Sequence, residues 1–507
     1  MKTHILLGIG ATSVLVGAWS IVHGAPVSVQ TLRAGSVHDV IVDINIATRS
    51  RIPTIIRVAP GRYLFDSTTF ASPYDPTLLP VISTSIEIVG SGASTTSFEG
   101  STEEESYRLF TVLRGGNLRI SNLALKNGAD QCTGDCSNLG GGAILNVGGQ
   151  VRLDDCILSG NVAFDTEGRD SGGGGAILNL SGTLIVNRTQ VTGNGALARG
   201  GGITVMGGSA SIWDSTISGN GASFGIGHTS TAWGGGIYVG PQGTLSVLHS
   251  TISGNATGED SATYDDPGYG AGIYNVGTAV LTDSAVVENS TTGDPGIGYG
   301  GGIANQGIMT IVNATVGGNH SGGRGGGIYN TGRLTLQGVT LRDNSADGIY
   351  SIFYGVPSGC SLDTPENCYG SGGGIWNEPG AILTMATTAV GSSSPDDCEG
   401  TLSSKGHNAL SDITSCTVVA SAWLGGRPTN DRLGVDLKLG ELQENGVPGF
   451  AHYAPLPGSP LIDAGGAIGP TCADTDQLGN RRVAGDGQKG KYSICDIGAI
   501  EFIPPVH

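Results

Sequence analysis

Basic residues are scarce in this chain. It holds 25 Lys and Arg against 43 Asp and Glu in 507 residues, a formal charge of −18. Nucleic-acid binding rests on clustered cations against phosphate, so that class is excluded, and anionic membrane surfaces with it. What the acidic balance does supply is solubility. Aromatics make up 6% of the chain, charged residues 13%, and there are only four methionines. No long run of 3.6-residue periodicity occurs after the N-terminus, which excludes a helical protein. No Cys-x-x-Cys pair or Cys/His cluster has the spacing of zinc ligands. After the first two dozen residues, no stretch is long and apolar enough to span a bilayer.

What the chain has instead is glycine, 89 of them, and a phrase that returns eight times. It reads GGAILN, GGITV, GGIYV, AGIYN, GGIAN, GGIYN or GGIWN around Ile144, Ile177, Ile203, Ile237, Ile273, Ile303, Ile328 and Ile375. After each of the first seven comes an asparagine: Asn161, Asn194, Asn220, Asn255, Asn289, Asn319 and Asn344. The interval from isoleucine to asparagine is 16 to 18 residues, while that from asparagine to the next isoleucine runs from 9 to 31. Half of the unit is fixed and half is free in length. Self-similarity of this period marks a solenoid or a propeller.

The segment Gly235–Asn255 shows how one unit folds. Ile237 and Val239 alternate with Tyr238, Gly240 to Gly243 make a turn, and Leu245 and Val247 alternate again. His249 and Ser250 form a corner before Thr251 and Ile252. The pattern is three short strands and three turns, too few residues for a four-stranded propeller blade. The spaced leucines of leucine-rich repeats are missing. The expectation is an all-β fold, a parallel β-helix with three strands per coil. Isoleucine then fills a continuous core column, glycine turns the corners, and the asparagine amides stack as a ladder along the axis. The free-length stretches 162–174, 221–234, 256–270, 290–300 and 345–372 emerge along one edge of the rod. Insertions on one side of a solenoid are often a binding surface. They carry aromatics suited to sugar rings or protein partners: Phe224, Trp233, Tyr264, Tyr269, Tyr299, Tyr350, Phe353 and Tyr354.

The ends differ from the middle. Lys2 followed by the apolar run Ile5 to Ile21 reads as a secretory signal, with cleavage expected after Gly24. Residues 1–24 are then the signal peptide, 25–107 an N-terminal cap with the first coils, 108–395 the repeats, and 396–507 a cap region. Export predicts disulfides. The candidates group locally as Cys132 with Cys136, Cys360 with Cys368, Cys398 with Cys416, and Cys472 with Cys495, leaving Cys156 over. The pairing among Cys132, Cys136 and Cys156 stays open.

No residue is assigned a catalytic role, and no cofactor or metal is assigned. A glycoside hydrolase needs two carboxylates on neighbouring coils, ~5–9.5 Å apart. The corner position six residues before each asparagine holds Asp155, Arg188, Asp214, His249, Asp283, Asn313 and Gly338, a mixed column with no adjacent carboxylates. Asp and Asn suit corners on conformational grounds alone. The clusters Glu259-Asp260, Asp265-Asp266 and Asp396-Asp397 with Glu399 supply oxygen ligands suited to Ca²⁺ but match no calcium-loop pattern. Asp474, Asp476, Arg481, Arg482, Asp496 and Glu501 form the densest charged group, read as a lock on the cap.

The run Gly458-Ser459-Pro460-Leu461-Ile462-Asp463-Ala464-Gly465, then Asp476-Gln477-Leu478-Gly479-Asn480-Arg481-Arg482, then Cys495-Asp496-Ile497-Gly498-Ala499-Ile500-Glu501 resembles the choice-of-anchor Q domain of secreted bacterial β-helix proteins. The stretches Ala59–Phe65 and Arg108–Gly128 look like the first coils of the same proteins. That class often begins with a CSLREA motif; here Gln30-Thr31-Leu32-Arg33-Ala34 stands in its place, without the cysteine. The GGAI and asparagine phrases are similar to repeats of chlamydial polymorphic outer-membrane proteins. The resemblance implies a right-handed, single-stranded, pectate-lyase-like (pectin lyase-like) solenoid with terminal caps. It also implies a secreted or cell-envelope-associated, adhesin-like protein. No sorting motif or membrane tail follows Glu501, so a free or envelope-associated monomer with an extracellular glycan or protein ligand is expected. The rival expectation is a polysaccharide lyase or glycoside hydrolase with its site in the groove beside the long loops.

Overall fold

The computed structural model describes residues 28–66, 69–74, 76–101, 107–132, 140–165, 173–223, 231–258, 267–291, 298–347, 370–421, 429–466, 472–482 and 494–504. The expected signal peptide and most of the free-length loops lie outside them.

The coil that begins at Ile273 shows the plan. Ile273–Asn275 forms a first face, Thr278–Thr282 a second and Ala285–Val287 a third, with Ser290–Thr291 as a short exit strand. In the coils that begin at Ile144, Ile177, Ile203 and Ile237 the first two faces run as one bent strand. Every coil pairs with the next in parallel and in register. The isoleucine column runs unbroken from Ile144 to Ile375 and is continued by Phe110 before it and Cys398 after it. All eight isoleucines are fully buried. The chain is a parallel β-helix.

The constant glycine is the one three residues before each isoleucine. Gly234 has φ +68, and a Cβ there would stand 2.3 Å from the carbonyl oxygen of Ile237. No other residue type fits both the angle and the space. At the N-terminal end the helix Val37–Ser50 buries Val40, Ile44 and Ala47, one face at helical spacing, against the first strands. Ser36 caps it by accepting from the Asp39 N–H, and Arg51 ends it in the left-handed region.

Three ladders satisfy the polar groups inside the rod. From Asn161 to Asn344, each side-chain amide donates to the Oδ1 of the next asparagine at 2.9–3.0 Å. The same Oδ1 also accepts the backbone N–H of the preceding asparagine at 3.0–3.1 Å. A second ladder joins Asn146 to Asn179, and Asn275, Asn305, Asn330 and Asn377 to one another, at 2.7–2.8 Å. A third is made of hydroxyls: Thr189, Ser215, Ser250 and Ser284 each accept the backbone N–H of the coil before at 3.1–3.2 Å. Cys156 takes the next place in that row, buried, its thiol pushed up to about 12 by burial. The unpaired cysteine is thus part of the stacking.

The expected cap region 396–507 divides in two. Cys398–Ser404, Ala409–Leu410 and Cys416–Ala420 prolong the rod, and the disulfide Cys398–Cys416 ties them together. From about residue 435 the chain turns back as a strap along the outside of the third face. Its hairpin, Leu439–Gln443 with His452–Pro455, is the antiparallel strand pair of the described residues. The third face is prepared for the strap by small outward residues. Ala285 and Ala389 are fully buried, and a Cβ on Gly317 would stand 2.5 Å from the Tyr453 ring. The disulfide Cys472–Cys495 closes the strap on itself. Of the other cysteine candidates, Cys136, Cys360, Cys368 and the side chain of Cys132 lie outside the described residues.

Candidate binding surface

The free-length loops lead into the first face, and the loop edge is where the expected aromatics gather. Trp233, Tyr269 and Tyr299 are not on free loops. They belong to the two-residue strands Ala232–Trp233, Gly268–Tyr269 and Gly298–Tyr299, which pair coil on coil. The parallel ladder extends past the corner glycine, so the loops are shorter than the spacing suggests. Phe224, Tyr264, Tyr350, Phe353 and Tyr354 lie outside the described residues.

These three rings meet others that spacing did not single out. Tyr238, Tyr274, Tyr329 and Trp376 stand between the buried isoleucine and the ladder position of their coils, pointing outward. Tyr238 and Tyr274 stack at 5.6 Å between centroids, and Tyr269 and Tyr299 at 4.9 Å. Trp233 and Tyr269 pack on Tyr274, and Tyr299 on Tyr329. An arginine closes each end. Arg199 lies over Trp233 and Tyr238, at 5.1 and 5.7 Å, and Arg324 over Trp376 at 4.3 Å. Glu378 accepts from the Trp376 indole at 2.8 Å and from the Tyr329 hydroxyl at 3.3 Å. Burial raises the Tyr238, Tyr274 and Tyr329 phenols and pushes Tyr269 up to about 12, so all stay protonated in neutral solution. Tyr238 and Tyr274, and Tyr269 and Tyr299, turn their faces to one another; Tyr238, Tyr274 and Trp376 are buried, and Trp233, Tyr269, Tyr299 and Tyr329 are the half-buried rings that reach the surface with polar tips. The band therefore suits a ligand rich in hydrogen-bonding groups. The signal in the sequence was the repeated outward slot of Gly-Gly-x-Ile-x-Asn.

The corner column is a row of left-handed residues. Asp155, Arg188, Asp214, His249, Asp283, Asn313 and Gly338 all have φ between 42 and 61. Asp155, Arg188 and Asp214 alternate in sign along it. Arg188 holds Asp155 through two hydrogen bonds of 2.7–2.8 Å, and His249 lies 3.8 Å from Asp214 and 3.5 Å from Asp283. The column brings no two carboxylates together on adjacent coils.

The remaining charged candidates do structural work. Asp396 accepts from the Gly372 N–H at 2.6 Å, and Asp397 from Ser393, Ser411 and Asp412. Glu259, Asp260, Asp265 and Asp266 lie outside the described residues. Among the described residues no group of three or more His, Cys, Asp or Glu side chains could hold a metal ion. In the C-terminal group Arg482 is the hub. It is 2% exposed and donates to Glu501 at 3.3 Å, to the Gly498 carbonyl at 2.8 Å and to Asn313 at 3.3 Å. Asp476 and Asp496 accept backbone N–H groups of the strap, and Gln477 accepts from Thr315 at 2.7 Å. Asp474 and Arg481 contribute to the same turn through their backbones. This charged group locks the strap to the rod.

Among the described residues no helix is long and apolar enough to cross a membrane. No family model matches the sequence, and no curated protein sequence matches it. Solved structures do. The chain is similar to the A-module of the mannuronan C-5 epimerase AlgE4 from Azotobacter vinelandii, at 10% identity and a TM-score of 0.34, over 80% of this chain and 94% of that one. It is similar to the A-module of AlgE6 from the same organism, at 12% identity and a TM-score of 0.34, over 79% and 94%.

Proposed function

We propose that this is an exported, non-enzymatic β-helix protein, an adhesin-like scaffold that binds an extracellular glycan or protein along its loop edge. The observation that carries this reading is the aromatic band. Seven rings from five consecutive coils, Trp233 to Trp376, form one hydroxyl-bearing strip beside the loops, and no carboxylate pair stands next to it among the described residues. Tyr and Trp give large, rigid contact area with polar tips, the side chains most enriched at binding surfaces. The resemblance of the C-terminal run to choice-of-anchor Q domains, the N-terminal signal pattern and two disulfides support a secreted or cell-envelope location.

One observation favours the rival, a polysaccharide lyase or hydrolase: Arg324 and Glu378 both contact Trp376, placing a base and an acid at one end of the band. A glycan array run beside reducing-end and unsaturated-product assays separates the two. Binding without turnover, lost in Tyr299→Ala, is the expected result. Cleavage of any polymer, abolished by Glu378→Gln, would sink the scaffold reading.

A further inference from the structure

Among the described residues the strap lies on the third face and leaves the second uncovered, and the outward residues of that second face are nearly free of charge. From Thr183 to Ser403 they occupy eight coils in strict register, and Arg333 is the one charged residue among them. In a chain of net charge −18 such a face is a departure. The middle outward column from Ser211 to Ser403 holds only Ser, Thr and Val. The outward column nearer the first face is graded by size. Its earlier coils carry Thr183, Ser209, Thr244 and Thr278; its later coils carry Ile308, Arg333 and Ile382. Three apolar side chains stand well out from this face: Val280 at 38% exposure, Ile308 at 52% and Ile382 at 44%.

We infer that this face docks a second copy of the chain, with the two rods antiparallel. A two-fold axis parallel to the strands, between the Thr278 and Ile308 coils, lays each large residue of this column on a small one. Ile308 meets the threonine of the neighbouring coil's column, Arg333 meets the Thr244 position and Ile382 the Ser209 position. With the rods parallel and in register this column meets the one at the far edge of the face instead, which sets Ile308 opposite Val312 and Arg333 opposite Gln337, large on large. Flat sheets pack face to face when their inner residues interdigitate. The missing charge removes the like-charge repulsion that any other pairing of two such acidic chains would meet. Eight coils at ~4.8 Å by strands of five residues at ~3.4 Å give ~650 Å² per copy, so about 1,300 Å² in all, at the low end of the range for a specific interface.

Sedimentation equilibrium of the mature chain tests this. The wild type is expected to pass from monomer to dimer in the micromolar range. Ile308→Glu and Thr278→Lys, both on outward positions, are each expected to weaken the dimer roughly tenfold or more while leaving circular dichroism and thermal midpoint unchanged. An equimolar mixture of the two variants is expected to restore a heterodimer, since each Glu then faces a Lys across the axis. A wild type that stays monomeric at every concentration, or an Ile308→Glu variant that dimerises as the wild type does, overturns the proposal. A mixture that fails to recover overturns the antiparallel register. Gln190→Lys on the third face is the control and should change nothing.

Discussion

Arg482 reaches Asn313, 169 residues earlier in the chain, through a 3.3 Å hydrogen bond from Nη2 to Oδ1. Asn313 is a corner residue of the rod and Arg482 the hub of the strap, so this contact is one of those that join the two parts of the chain, with Thr315 to Gln477 and Ala499 to Thr340 beside it. Around it the guanidinium finds Glu501 and the carbonyls of Thr475, Asp496, Gly498 and Ala499. Truncating one member of a buried, hydrogen-bonded ion pair typically costs about 3–5 kcal/mol. Arg482→Ala should therefore release the strap, while the rod keeps its own ladders. The check is limited proteolysis: early cleavage within 432–504, with the repeats resistant. Loss of the whole β-sheet signal would show that the rod depends on the strap.

The same lock should respond to pH. Burial first, and the neighbouring Asp496 second, push Glu501 up to about 7 against the pull of Arg482. Asp496, Asp397 and Asp283 are raised too, each chiefly by burial. A carboxyl that stays protonated in the fold binds more protons folded than unfolded. Its contribution is full below the ordinary value of 4.5 and is lost as the pH rises through about 7. For Glu501 the effect is at most about 3 kcal/mol. The urea midpoint for strap release should be higher at pH 5 than at pH 8, and Glu501→Gln should flatten that difference. A midpoint that rises with pH would contradict it.

Asn255 tests the ladder. Its Oδ1 accepts both the Asn220 N–H and the Asn220 amide, and its own amide donates to Asn289 and to the Ile217 carbonyl. Asn255→Ala removes hydrogen-bond partners from buried groups on the two neighbouring coils. At about 1–3 kcal/mol for an unsatisfied buried group, the loss should be about 2–5 kcal/mol. Equilibrium unfolding in urea measures it, and Ser253→Ala, half exposed on the same coil, gives the baseline.

In the aromatic band, position predicts which rings matter for what. Tyr274 touches Tyr238, Trp233 and Tyr269 and is nearly buried. Tyr274→Ala should lower stability by about 3 kcal/mol, as large aromatic truncations do. Tyr299→Ala, at a half-exposed ring, should cost less than 1 kcal/mol or so and reduce ligand binding instead. Thermal melts and a glycan-binding titration on the two variants separate the roles; equal losses of both quantities in both would refute the division.

The rod was legible because its physics is periodic. An isoleucine that must be buried in every coil and an asparagine that must stack on its like leave the same letters at the same interval, and both columns stand where spacing put them. The hydroxyl ladder was harder to see. Thr189, Ser215, Ser250 and Ser284 look like ordinary corner residues, and Cys156 breaks the row. The aromatic strip is half visible in the sequence: Trp233, Tyr269 and Tyr299 fall in the free-length stretches, whereas Tyr238, Tyr274 and Tyr329 sit inside the repeated phrase, where an outward position carries no signal of its own. The path of the strap left a fainter trace. The third face reads Thr-Ile-Ser at 216–218 and 251–253, but Ala-Val-Val at 285–287 and Ala-Val-Gly at 389–391. Alanine and glycine in the outward slots mark two of the covered coils, while Thr315 and Thr340, also covered, keep hydroxyls that bond to the strap. What covers them is a non-repeating segment, and no local pattern says where such a segment will lie.

Every amide-to-amide link in the Asn161–Asn344 row runs the same way, towards the C-terminal end, while the other N–H of each amide reaches back to a carbonyl of the coil before. Each link therefore polarises the next, and the row has a head and a tail. A coil inserted whole into the middle would find a waiting donor on one side and a waiting acceptor on the other. Half a coil would break all three ladders at once. The length of the rod is thus free to change only in complete turns, and growth by duplication of whole units would meet no resistance from its interior.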